Sequence, residues 1–210
     1  MHADWSVECA ADDPVLVVPW SDPDNASGPA FVDLRVHPEE LESLRETDRH
    51  PPLMQALRAL NASRSPFFTA KCDAWSMAED EVRHLQLDLG LDLNPQEERQ
   101  QLAGNTTPSA CGFASYIDLI CRDRSLFASF ARQEISLRRF VRLSASMNHP
   151  DALLEFILRP ALLQLDATQQ GYAISMYVKA LGESTSQAHL KWGAALNDVV
   201  AMLRRPGALL

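Results

Sequence analysis

Glycine and proline are sparse, 8 and 13 residues among 210, and neither recurs at a fixed period, which excludes collagen-like and solenoid chains. No run of about 18 apolar residues occurs, so a membrane-spanning helix is not expected. Cysteine is scarce as well. Cys9, Cys72, Cys111 and Cys121 include no Cys-x-x-Cys pair, and a chain of this size needs no disulfide framework, so all four are expected to be reduced and most buried. His-x₃-His, His-Glu-x-x-His and Asp-x-Asp-x-Asp-Gly arrangements are missing, so no metal is expected. Gly-x-Gly-x-x-Gly and Gly-x₄-Gly-Lys-Ser/Thr loops are missing too, and with them the familiar nucleotide cofactor sites; no cofactor is expected. Gly-x-Ser-x-Gly, the usual serine-hydrolase elbow, is likewise absent. The opening Met1-His2-Ala3-Asp4-Trp5 lacks the basic and apolar regions of a secretory signal, which sets the expectation of a cytoplasmic protein. For that reason the Asn-x-Ser/Thr triplets at Asn25, Asn61 and Asn105 carry no weight.

What is present is an ordinary globular composition, 46% hydrophobic and 22% charged, with a net charge of −9. The charge is unevenly spread: residues 1–98 carry 20 acids against 7 bases, and residues 99–210 carry 8 acids against 12 bases. Two faces of one fold that attract each other explain this most simply. The acidic total repels a nucleic-acid backbone, so no nucleic-acid partner is expected.

The pattern predicts one α+β domain over residues 1–210, with a mostly antiparallel sheet covered by helices and the long helices in 108–147 and 185–204. Residues 1–13 read as a flexible acidic leader, and 94–107 as a polar linker. Val15–Val18 and Phe31–Val36 read as strands, the second alternating Val32, Leu34 and Val36 with Phe31, Asp33 and Arg35. Pro38 opens a short helix to Arg45, and Pro51-Pro52 a second ending at Asn61. Phe67–Trp75 reads as a strand. Leu85, Leu87, Leu89, Leu91 and Leu93 alternate with polar residues and Gly90, which suggests an extended sheet edge. That segment resembles the short Leu-x-Leu-x-Leu peptides of some plant transcriptional repressors, which implies docking of an extended segment in a partner's groove.

Thr107-Pro108 supplies an N-cap and a first-turn proline for a helix running to about Met147, with a break at residues 121–125. In its second part Leu126, Phe130, Leu137 and Val141 share one side, with Arg132 and Arg139 opposite. Leu153–Leu165 is either a helix kinked at Pro160 or a strand; paired with alternating Tyr172–Val178 it reads as a hairpin. Ser184 and Gln187 have capping-box spacing for a last helix that ends before Pro206-Gly207.

Four groupings are chemically suggestive. Cys111, four positions into the expected helix, would have its thiol activated by the helix N-terminus, with His84, His149 or His189 as base. Asp33 and Arg35 on one strand beside Lys71 and Asp73 on another would make a charged row: cross-strand ion pairs on a solvated face, or two cations holding a carboxylate or phosphate with an aspartate as acid–base group. Arg122, Arg124, Arg132, Arg138, Arg139 and Arg142 form a basic stretch, either a solvated helix face or a dock for an acidic partner. The leucine edge is the fourth. Together these favour a non-catalytic binding protein, meeting a protein partner or a second copy of itself. The alternative is a small-molecule-binding protein or enzyme for an anionic ligand, with Arg35 and Lys71 as its clamps.

Overall fold

A computed structural model describes residues 1–21, 30–91 and 110–209. Six strands form one mixed sheet: β1 (His2–Val7), β2 (Leu16–Val18), β3 (Phe67–Ser76), β4 (Cys111–Cys121), β5 (Ala152–Leu163) and β6 (Gln169–Gly182). Their order is β1-β5-β6-β4-β3, with β2 continuing the β1 edge along β5. The β3–β4, β4–β6 and β5–β6 pairs are antiparallel, while β1 and β2 run parallel to β5. Between them lie a 3₁₀ turn (Pro38–Ser43), α1 (Arg45–Arg49), α2 (Pro51–Asn61), α3 (Glu79–Asp88), α4 (Arg124–Phe127), α5 (Phe130–Ser144) and α6 (Thr185–Leu203). The expected α+β architecture, with a mostly antiparallel sheet, is what the chain adopts. The expected linker at 94–107 lies outside the described residues.

One face of the sheet carries α2, α5 and α6. Phe113, Ile117 and Leu119 of β4 alternate inward with Phe156 of β5 and Met176 of β6 to meet Leu57 of α2, Phe140 of α5 and Trp192 of α6, all nearly or fully buried. The Trp192 indole donates to the Ser115 hydroxyl at 2.8 Å, so neither polar atom is left unpaired in this core. Ser184 caps α6 by accepting from the Gln187 amide at 3.2 Å. Where β6 runs into α6 at Gly182, a Cβ would lie 2.4 Å from the Ala188 nitrogen, a spacing that only glycine allows.

Four local readings change. Residues 111–121 form a central strand, not the start of a helix. The aromatic and β-branched Phe113, Tyr116, Ile117 and Ile120 suit a pleated strand, and pairing with β3 and β6 on both sides outweighs the Thr107-Pro108 signal. Residues 31–36 form a turn instead of a strand, because Asp33 closes the chain on itself: its carboxylate accepts from the Arg35 amide at 3.1 Å, and its carbonyl accepts from the Val36 and His37 amides. The first leucines of the alternation lie in and at the end of a helix, and Leu93 lies outside the described residues. Val82, Leu85 and Leu89, at helical spacing, pack on Leu153 and Leu181, while Leu87 and Leu91 are exposed. Glu81 accepts from the Ala78 amide at 2.7 Å at its start, and Gly90 at φ +69° ends it. Lastly, His2–Val7 of the acidic leader pairs along β5 as β1.

The hairpin of β5 and β6, the strand β3 and the helices α2 and α6 lie where the sequence puts them. Among the described residues no helix is long and apolar enough to cross a membrane.

Candidate functional site

Among the described residues, the second face of the sheet is mostly free of helices. α3 covers one end of it, over Gly112, Leu153 and Leu181. At the other end residues 14–21 run from the β5 edge, where β2 pairs with Ala161–Leu163, towards β3, where the Trp20 indole donates to the Ala70 carbonyl at 2.8 Å. A cavity of about 660 Å³ lies beside this strap, with a polar and aromatic floor.

Strand register builds that floor. Tyr116 of β4 stands opposite Tyr177 of β6, and Asp118 opposite Ser175, so two cross-strand rows lie one above the other on the same face. β3 contributes through a bulge: between Thr69 and Cys72 the register slips, and Ala70 and Lys71 together face Asp118. The bulge turns Lys71 into the cavity, where its ammonium sits 4.7 Å from the centre of the Trp20 ring. Its charge has no carboxylate ion-pair partner among the described residues. β5 adds Arg159, whose Nε lies 2.8 Å from Glu8 Oε2.

Asp118 is the centre of the arrangement. It is 5% exposed, and its Oδ1 accepts a 2.5 Å hydrogen bond from the Ser175 hydroxyl. Burial raises its pKa above the ordinary aspartate value, and the Ser175 hydrogen bond, Arg159 and Lys71 oppose that rise without cancelling it. Burial, followed by the nearby charges of Asp118 and Asp73, also pushes the Tyr116 phenol up to about 12, so it is a hydrogen-bond donor at neutral pH. For Arg159, burial lowers the pKa, but Tyr177, Glu8 and Asp118 more than offset it. The cavity therefore offers a cation at Lys71, a buried carboxyl group at Asp118, and the surfaces of two phenol rings tilted 35° to each other.

The residues singled out from sequence are dispersed. Lys71 belongs to this cavity, but Arg35 does not: it lies against the Phe68 ring at 4.1 Å and is locked to Asp33 by two hydrogen bonds of 2.8 and 2.7 Å. That hydrogen bonding, ahead of the nearby Arg35 charge, holds the Asp33 carboxyl below the usual range, despite partial burial. The expected charged row of Asp33, Arg35, Lys71 and Asp73 does not form, because residues 31–36 are not a strand. Asp73 is exposed on β3, with its carboxylate on the Ala74 amide at 2.7 Å. Cys111 begins β4, opposite Gly182, so the helix N-terminus that would have activated it is not there. Burial pushes the thiols of Cys72 and Cys121 up to about 12 and makes them inert.

Arg132 is exposed on α5 and donates to Ser125 at 2.7 Å, and Arg139 is half-buried on the same helix. Arg122 is structural: it donates to the Asn61, Ala62 and Phe67 carbonyls and so ties the end of α2 to β3. Leu85, Leu87, Leu89 and Leu91 do not form a sheet edge, since α3 and its C-terminal turn hold them and Leu85 and Leu89 are inside the fold. Among the described residues no three His, Cys, Asp or Glu side chains group as metal ligands.

Tyr116, Asp118, Arg159, Ser175 and Tyr177 escaped the sequence reading. The signal was there for Ser175 and Tyr177, which alternate with Ile174, Met176 and Val178, and for Tyr116 and Asp118, which alternate with Ile117 and Leu119. It became usable only once residues 111–121 were known to be a strand. Compared with protein-family models, curated proteins and solved structures, the chain gives no match.

Proposed function

We propose that this protein binds a small anionic molecule in the cavity between the strap at residues 14–21 and the second face of the sheet, with Lys71 as the counter-ion. The observation that carries the reading is the lysine itself. A bulge aims it into a concave polar site, over an indole ring, without a carboxylate ion-pair partner among the described residues. A cation held in that way by the fold is suited to an anion from outside. A cavity of about 660 Å³ accommodates a metabolite-sized ligand, and its few polar groups converge as those of ligand sites do.

The test is thermal unfolding against a panel of carboxylates and phosphates. A ligand at 100 times its dissociation constant adds about 2.7 kcal/mol, which moves the midpoint of a domain of this size by roughly 5–10 °C. Lys71→Met should abolish the shift. Arg35→Ala, at a residue bound to Asp33 outside this cavity, should leave it intact. Failure of every anion to stabilise the protein, or an undiminished shift in Lys71→Met, overturns the reading.

A further inference from the structure

The cavity floor has two chemically different rows, and their spacing constrains the ligand. The first is aromatic. The rings of Tyr116 and Tyr177, which line the cavity, have centres 5.8 Å apart with a tilt of 35°, and Trp75, 6.4 Å from Tyr116, continues the aromatic band beyond it. The second is polar: Lys71, Asp118 and Ser175 lie side by side on the same three strands. Tyr116 and Asp118 are two residues apart on one strand, as are Tyr177 and Ser175, so the rows are separated by about 6.8 Å. In the polar row the cation and the carboxyl group are neighbours.

We propose that the ligand is an aromatic α-amino acid, its ring on the Tyr116–Tyr177 platform, its carboxylate on Lys71 and its ammonium on Asp118. This rests on the preceding reading of Lys71 as an anion site and narrows it. An aromatic α-amino acid is a compact molecule that carries a carboxylate and an ammonium on one carbon at one end and a ring at the other, at a distance comparable with the spacing of the rows. The ammonium gives Asp118, buried and accepting from the Ser175 hydroxyl, a direct ion-pair partner. The carboxylate gives Lys71 the partner that the described fold does not supply. Tyr116 and Tyr177 present ring surface for stacking, and aromatic rings prefer offset or edge arrangements on such a surface.

The inference is tested by calorimetric titration of the full chain with four compounds. L-Phenylalanine carries all three groups, 3-phenylpropanoate lacks the amine, phenethylamine lacks the carboxylate, and L-alanine lacks the ring. Phenylalanine should bind at least tenfold more tightly than each of the others. Asp118→Asn should weaken phenylalanine at least tenfold and leave 3-phenylpropanoate unchanged. Should that variant fail to fold, the wild-type series decides alone. Equal binding of 3-phenylpropanoate and phenylalanine overturns the ammonium site at Asp118 and leaves Lys71 as an anion site. Equal binding of phenethylamine overturns the role of Lys71 and with it the broader reading. Equal binding of alanine overturns the aromatic platform, and no binding of phenylalanine overturns the inference as a whole.

Discussion

Replacing Ser175 with alanine removes the hydroxyl that donates to Asp118 at 2.5 Å and leaves a buried carboxyl group without that donor. A hydrogen bond to a charged group contributes about 1.5–3 kcal/mol and one to a neutral group about 1 kcal/mol. The cost of Ser175→Ala therefore depends on whether Asp118 carries its charge. Its folded pKa is already raised by burial, and the Ser175 hydrogen bond is the first of the influences that hold the rise down, so the variant raises it further. For an acid whose folded pKa exceeds its unfolded one, stability is fully present below the unfolded value and is lost as pH rises through the folded value. Ser175→Ala should thus cost about 2 kcal/mol at mildly alkaline pH and about 1 kcal/mol in mild acid. In thermal unfolding that is a midpoint lowered by about 4–8 °C in the first condition and about 2–4 °C in the second. Because wild type and variant share every other titrating group, the difference between their midpoints isolates this pair. An equal drop at both ends of the pH range, or none, refutes the argument.

Further perturbations probe other parts of the molecule. Leu85→Asp, at a residue 1% exposed, should cost at least about 3 kcal/mol in a denaturant titration. Leu87→Asp, at one 57% exposed, should change stability by no more than about 0.5 kcal/mol; similar costs would put both leucines on one face, as a strand requires. His50 lies with its Nδ1 3.2 Å from His189 Nε2 and its ring against Phe113. Burial, then the charges of His189 and Arg49, lower its pKa, against a smaller opposing effect of Asp73. Stability from His50 is therefore present above its unfolded pKa of about 6.5 and lost as pH falls below it. His50→Phe should flatten that acid slope in thermal melts, and an unchanged slope assigns it to other groups. Gly182→Ala should cost about 1–3 kcal/mol, because the added Cβ meets backbone that cannot swing aside; chemical denaturation measures it.

How far the fold could be read beforehand varied with how local its cause was. The capping pair Ser184 and Gln187, the prolines at 51 and 52, and the alternation of Phe67–Ser76 act within a few residues, and the elements they announce are where they were expected. The leucines of α3 satisfy two periods at once. Alternation links Leu85 to Leu87, but Val82, Leu85 and Leu89 make the helical stripe, and what selects it is the pair Leu153 and Leu181 on distant strands. β4 follows the same logic: a strand paired on both sides is fixed by its neighbours as much as by its own propensity. The candidate site follows from these elements. Lys71 was legible as a cation on a strand, but its bulge depends on pairing with β4, and Asp118 becomes conspicuous only when burial is known.

The parallel pairing of the first strands with β5 also has a kinetic side. His2 meets Leu153, and Leu16 meets Ala161, so the strap that walls the cavity joins residues separated by most of the chain. Contacts of that separation cost more loop-closure entropy than local ones and slow folding. During synthesis, residues 14–21 emerge well before β5 exists to receive them. The cavity draws its wall and floor from both ends of the chain, so ligand-dependent stabilisation would report on a sheet complete from the strap to the C-terminal hairpin.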